Sequence, residues 1–414
     1  MFGITARCAI GWVCAAAMAA SLGAPVCAAG YLKADGSNLT LDGKPYRAIG
    51  MNAPDVFSGY AGIGIDLKPE AAAASRKASI ESILDAEKNK IAFFRFWASG
   101  FWPRDMQLYF DNPGKYWKDM DEVFALCREH HIKLIPSIFF HHNLWPMICE
   151  EDASAIMDPN SKTFKAMHNY AKELVTRYKD DANILMWELT NEGFLGADVP
   201  MEDRDAPGAG VYLPNAKLTK TKYVKGDSLT TAMILKFYDE MTRYIKSLDP
   251  NHMVTSGDAG VRDCSQSLKE SFPIPVWTKD TLRQHISNLL ASQPEPLDVI
   301  SQHHYGSNTG KTDWQVVNDI SILEYYRQLI RGTQSARVPL LIGECGQMNP
   351  PMKDDPESKF TRAYLDLTDK EGVALVCVWV WHFPGQPENT ITSKSHPLLM
   401  KQIAKLNTKY AGLK

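Results

Sequence analysis

The sequence of 414 residues carries no basic block or stripe, and its formal charge of −3 is close to neutral. Without clustered Lys and Arg to neutralise phosphates, nucleic acid is not an expected partner. Cysteine is sparse. Beyond residue 29 only Cys127, Cys149, Cys264, Cys345 and Cys377 occur, with no CxxC or His-rich spacing, so structural zinc lacks a ligand set. Five is odd, so at least one thiol stays unpaired within the chain. Cys127 falls in a helix pattern and Cys345 and Cys377 in strand patterns, as small buried hydrophobes would. Cys149 and Cys264 fall in loops and are the one pair open to a disulfide, whose formation the sequence does not decide. No Pro-, Gly- or Ser-rich linker divides the chain, and no internal repeat is present.

The first 29 residues differ from the rest. Arg7 is their only charge, and an Ala-rich apolar run reaches Ala20 before Ser21, Gly23 and Pro25. Small residues at Ala28 and Ala29 suit cleavage. The stretch reads as a secretory signal peptide whose apolar core is too short to span a membrane. Residues 30–414 are then expected to form one catalytic domain, secreted or periplasmic.

What the sequence does contain is organised around ILMWELTNE, residues 184–192. Its apolar run suits a strand buried on both faces, as in a parallel sheet covered by helices. Asn191 and Glu192 stand where that run stops. Seven further strand candidates occur, at 46–52, 91–97, 133–139, 252–258, 298–306, 339–346 and 372–383. Stretches of helical period separate them, at 75–89, 117–131, 161–179, 230–247, 278–290, 319–331 and 359–370, and 397–410 closes the chain. The clearest, 161–179, places Phe164, Met167, Tyr170, Ala171, Leu174, Val175 and Tyr178 on one face. Alternating strands and helices of this number predict an α/β fold, a single (β/α)8 TIM barrel. A doubly wound open sheet is disfavoured, because the first strand runs into GMNAPDVF and not into a Gly-rich phosphate turn. Ahead of the barrel, Asp35-Gly36 and Asp42-Gly43 mark a short β-hairpin, expected to cover one end. The longest irregular stretch, 193–228, is expected over the mouth of the barrel, where it would limit the cleft.

In such a barrel catalytic groups sit at the C-terminal ends of strands. Glu192 after the fourth strand and Glu344 at the end of the seventh therefore share one rim. Two carboxyl groups there suit glycoside cleavage, which needs a proton donor for the leaving oxygen and a carboxylate for the anomeric carbon. Arg95, ending the second strand, is expected to hold Glu344 ionised, and that charge to keep Glu192 protonated.

With Asn191-Glu192, Arg95, His303-His304-Tyr305, Glu344 and Trp381 in this order at strand ends, the chain resembles glycoside hydrolase family 5. The resemblance covers nearly the whole chain after the leader and implies a retaining β-glycosidase of the cellulase and β-mannanase kind. It implies Glu192 as acid/base, Glu344 as nucleophile and Asn191 on the 2-hydroxyl of the sugar at the cleavage point. Tyr305 would contact the nucleophile, His303 the acid/base or the sugar, and Trp381 would floor that sugar, although Trp379 could share its face. The family's histidine after strand three would be His141 or His142. Trp97, Trp102 and Trp145 are candidate sugar platforms. The WELTNE stretch and the hairpin lean toward mannan over β-1,4-glucan. A monomer acting on a polysaccharide or oligosaccharide, with no cofactor, no metal and no membrane span after leader removal, is expected. Two alternatives remain in view: a secreted carbohydrate-binding protein on an inactive scaffold, and a metal-dependent barrel hydrolase using His141, His142, His303, His304 and Asp258. The latter class usually wants a His-x-His after strand one, and 50–57 contain no His.

Overall fold

Each of the eight apolar runs forms a strand, and all of them pair in parallel. They are β1 (Ala48–Asn52), β2 (Phe93–Trp97), β3 (Lys133–Phe139), β4 (Met186–Thr190), β5 (Met253–Thr255), β6 (Ile300–Ser307), β7 (Leu340–Asn349) and β8 (Leu375–Val378). The computed structural model describes residues 30–63, 69–205, 212–213, 217–307 and 320–413; the leader expected over 1–29 lies outside them. In space the strands run β5–β4–β3–β2–β1–β8–β7–β6. A parallel bridge from Thr255 to Val299 joins the two ends, so the sheet closes into a barrel.

The helices fall between the strands as expected: α1 (Pro69–Lys88), α2 (Pro113–Glu129), α3 (Lys162–Tyr178), α4 (Thr231–Leu248), α5 (Leu282–Ser292), α6 (Ile322–Ser335) and α7 (Lys359–Glu371), with α8 (Pro397–Ala411) last. In α3 the side chain of Ser161 accepts a bond from Phe164 N (2.9 Å), and Met167, Tyr170, Leu174, Val175 and Tyr178 face the core. Two helices start earlier than their apolar period indicates. A proline at the first helical position has no N–H to lose, and Pro113 takes that place in α2. Asn112 then caps α2 by accepting from Lys115 N (3.0 Å).

The N-terminal segment forms three short antiparallel strands, Leu32–Asp35, Asn38–Leu41 and Lys44–Pro45. Asp35 faces Asn38 across a two-residue turn whose Gly36 has φ +58, a value that favours glycine. Leu32 and Leu39 pack with Tyr46, Phe93, Ile135, Leu185, Met253 and Leu375, near the N-terminal ends of the strands. The hairpin therefore plugs the bottom and leaves the other end for chemistry.

Two expectations need correction. Cys149 ends the short helix Leu144–Cys149 and Cys264 precedes the helix Ser265–Ser271; both are buried, and they are not joined to one another. The stretch 193–228 is not wholly irregular, because Arg204–Asp205 pairs with Lys222–Tyr223 and Tyr212–Leu213 with Lys217–Leu218. Lys220 ties it down through Asp227 (2.7 Å) and Asp152 (3.1 Å), and Tyr223 packs with Met147 and Trp102. None of its described residues lines the cleft at the barrel mouth.

Candidate active site

The site is built on one buried cation. The side chain of Arg95, on β2, is fully shielded from solvent. Its Nε donates to both oxygens of Glu188 (2.9 and 2.7 Å). Its Nη1 donates to Asn52 Oδ1 (2.9 Å) and Glu344 Oε1 (2.8 Å), and its Nη2 to Asn191 Oδ1 (2.7 Å). A planar guanidinium with fixed donor directions locks four acceptor side chains from β1, β4 and β7 in one arrangement. Glu188 has no place in the sequence reading, where the run 184–189 counts as apolar strand. A partial clue was there: an acid inside a strand buried on both faces needs a buried cation, and Arg95 is such a cation on β2, one strand removed across β3.

The two rim glutamates come together above this hub. One carboxylate oxygen of Glu192, one of Glu344 and a ring nitrogen of His303 lie within 4.8 Å of one another. Glu344 is 5 % exposed at its side chain, receives Arg95 on Oε1, and accepts the hydroxyl of Tyr305 on Oε2. Glu192 is more open, 34 % exposed, and its Oε1 lies 2.9 Å from His303 Nδ1. Burial pushes His303 down to about 3, so the ring is neutral. A neutral imidazole nitrogen either donates to a carboxylate or accepts from a carboxylic acid, so this contact suits both forms of Glu192.

Burial raises the carboxyl of Glu192, and Arg95 opposes it. This corrects the expected cause, which was the charge of Glu344. Burial raises Glu344 as well, and the charge of Glu192 adds to that; Arg95 and the Tyr305 hydroxyl pull it back. The two acids therefore differ in what touches them. Glu344 has a cation and a hydroxyl donor, whereas Glu192 has a neutral ring and an opening to solvent.

The turn that presents Glu192 is conformationally unusual. Glu192 has φ +54, and its N–H donates to Gly257 O (3.1 Å). A Cβ on Gly257, at φ +82, would lie 1.8 Å from Thr190 O, so only glycine lets the segment after β5 approach so closely. Asp258 follows, accepting from Phe194 N (2.9 Å) and from the Tyr238 hydroxyl (2.7 Å), and so braces the turn from below. Asp258 is thus a structural acid and not a member of a metal cluster with the histidines.

A cleft of about 660 Å³ opens over the two glutamates. Asn191, Tyr305, Trp97 and Trp102 line it as expected, joined by Trp379, Phe383, Phe101 and Phe140. The Asn191 carbonyl is held by Arg95, which leaves its amide NH2 for the cleft. Five expected site residues stand elsewhere. Trp381 is 1 % exposed in the core and donates to Ser82 O of α1 (3.0 Å), whereas Trp379 faces the cleft with its Nε1 bonded to Gln386 (2.9 Å). Trp145 is core, packed on Tyr109 and Tyr170. His141 stacks on Phe101 and bonds its carbonyl (2.8 Å), and His142, which burial pushes down to about 3, is not in the lining. Phe140 occupies the wall after β3 in their place. His304 lies behind the site on Gln302 and Tyr364.

A closed (β/α)8 barrel with paired glutamates at its C-terminal mouth marks the barrel glycosidases as the class. The family model for cellulase (glycosyl hydrolase family 5) matches residues 59–384, and the chain belongs to that family. Among curated relatives, a rice mannan endo-1,4-beta-mannosidase is 26 % identical over 350 residues, covering 77 % of this chain and 69 % of the relative. A probable mannan endo-1,4-beta-mannosidase of Aspergillus terreus is 39 % identical over 97 residues, 23 % of this chain and only 19 % of that relative's length. The solved endo-1,4-beta-mannanase of Rhizomucor miehei superposes with a TM-score of 0.64 at 15 % identity, covering 92 % of this chain and 100 % of that one. That likeness shows the fold.

Proposed function

We propose that the chain is a retaining β-glycoside hydrolase that cleaves a β-1,4-mannan type of glycan by double displacement. The observation that carries this reading is the close approach of Glu192 and Glu344, within 4.8 Å at their nearest oxygens. Retaining enzymes hold the pair about 5–5.5 Å apart, whereas inverting enzymes leave about 6.5–9.5 Å for a water. Glu344 attacks the anomeric carbon while Glu192 gives its proton to the departing glycosidic oxygen, forming a glycosyl ester on Glu344. Glu192 then takes a proton from water, which attacks the same carbon and frees Glu344. Arg95 and Tyr305 favour the charged nucleophile, and Glu192, with no cation in contact, keeps its proton more readily. The mannan preference is supported by the named activities of the relatives. The apolar leader supports export, and a mature N-terminus near Ala29, Gly30 or Tyr31 is expected on material from the native host; an intact Met1 on exported protein contradicts it.

The test uses hydrolysis of β-mannan, cellulose derivatives and aryl glycosides, with NMR of the first anomer released. Retention is expected, and a first product of inverted configuration overturns the mechanism. With an activated aryl glycoside, Glu192→Ala accumulates the covalent intermediate, and azide restores turnover with a β-glycosyl azide product. In Glu344→Ala azide replaces the nucleophile, so its product is α. Opposite configurations reverse the two roles. Activity undiminished by excess chelator is also expected, since the three groups near 4.8 Å would otherwise suit a metal.

A further inference from the structure

Asp258 is a fully buried acid at the barrel mouth to which the mechanism above gives no part. It stands three residues beyond β5, under the turn that carries Glu192. Its Oδ1 accepts from Phe194 N (2.9 Å), and its Oδ2 from the hydroxyl of Tyr238 on α4 (2.7 Å). Its own N–H donates to Ser256 Oγ (3.1 Å), which in turn donates to Gln293 Oε1 (2.6 Å). The amide of Gln293 then bonds Ser301 O of β6 (2.8 Å). The acid is thus fixed to β5, β6 and α4 at once. Burial pushes its carboxyl up to about 7; the Tyr238 hydroxyl and the Phe194 N–H oppose that shift, and the charge of Glu192 adds to it.

The turn above it needs such a support. Glu192 is a non-glycine residue at φ +54, a conformation that persists only where its surroundings over-determine it. Two of the turn's N–H groups are held by the segment after β5, Glu192 N by Gly257 O (3.1 Å) and Phe194 N by Asp258. A Cβ on Gly193, between them, would lie 3.0 Å from the Tyr238 hydroxyl, so the turn rests on that hydroxyl as well. Without Asp258 the buried Phe194 N–H loses its acceptor, which favours a relaxed turn. The carboxyl of Glu192 is a third exposed and meets only a neutral ring, His303 Nδ1 at 2.9 Å, so its direction follows from the backbone beneath it. A misplacement of about 1 Å at such a group can cost about a hundredfold in rate.

We propose that Asp258, through the Phe194 N–H and the Tyr238 hydroxyl, is a positioning residue for general acid catalysis: it holds the left-handed turn that aims Glu192 at the glycosidic oxygen. Asp258 does not line the cleft and acts only through that turn. This rests on the reading of Glu192 as the acid/base. Loss of Asp258 therefore slows the first displacement in proportion to how much the leaving group needs a proton.

The experiment measures kcat/KM on a phenyl and a dinitrophenyl β-mannobioside, or on the matching cellobiosides where the wild-type enzyme cleaves only glucosides. Phenolate needs the proton of Glu192 to depart, and dinitrophenolate does not. In Asp258→Ala the phenyl substrate should lose roughly ten- to hundredfold and the dinitrophenyl substrate less than about threefold. Asp258→Asn keeps an oxygen for the Phe194 N–H, and Tyr238→Phe keeps the acid without one of its donors. Each should show a smaller loss with the same selectivity, and they carry the test if thermal melts show that the alanine variant does not fold. An equal loss on both substrates, or no loss on either, overturns the positioning role. Glu192→Ala sets the full size of the leaving-group dependence. If Glu192→Ala shows none, the acid/base assignment itself fails; a dependence there with none in the Asp258 and Tyr238 variants overturns the positioning role alone.

Discussion

Arg95 joins two carboxylates and two amides, and removing it changes more than the nucleophile's charge. With Glu344 as its one partner, as the sequence alone indicates, Arg95→Ala would spare the fold. Glu188 alters that expectation: its side chain is fully shielded and Arg95 is its cation. Breaking such a pair from one side costs about 3–5 kcal/mol, because the remaining charge is buried alone. Arg95→Ala is therefore expected to lower the melting temperature and kcat/KM together. Combining Arg95→Met with Glu188→Gln removes both charges and should recover much of the stability without the turnover, since Glu344 still lacks its cation. Full activity in the double variant would make Arg95 a scaffold residue only. Glu192, Glu344, Asn191 and Tyr305 were legible one by one as polar residues ending apolar runs. Glu188 was not, because its meaning depends on a partner 93 residues away.

At the scale of elements, the end of β8 shows where pattern reading stops. Trp379 and Trp381 are two apart, which in a strand puts them on one face. The ladder ends at Val378, so the alternation no longer governs either residue. Trp379 turns to the cleft and Trp381 passes outward to meet Ser82 of α1. Trp381→Ala should cost about 3–5 kcal/mol of stability, as for other buried aromatic truncations. Trp379→Ala should leave the melting temperature nearly unchanged and reduce kcat/KM on the order of tenfold or more, the usual weight of an aromatic anchor in a binding site. Thermal melts and polymer kinetics on both variants decide between them, and the reverse pattern would restore Trp381 as the platform. The histidines after β3 fail as site residues for a related reason. They lie beyond Phe139, where the strand's register no longer sets direction, and Phe140 takes the wall.

The whole molecule separates stability from chemistry along the barrel axis. Leu32 and Leu39 close one end, and every group of the candidate site lies at the other. Leu39→Ala should therefore cost about 2–5 kcal/mol in a denaturation experiment. Below the shifted transition its kcat/KM should match that of the unaltered protein; a large loss of activity there would mean that the plug also shapes the cleft. The sequence by itself determined the barrel, because eight apolar runs alternating with eight amphipathic ones bury their faces in few other ways. It also determined which acids stand on the rim, since chain position along a strand decides which end a residue reaches. Only the tertiary structure decided that Glu188 shares Arg95 and that Trp379 and not Trp381 faces the cleft. Those facts depend on packing between segments far apart in the chain, and periodicity within one segment carries no information about its neighbours.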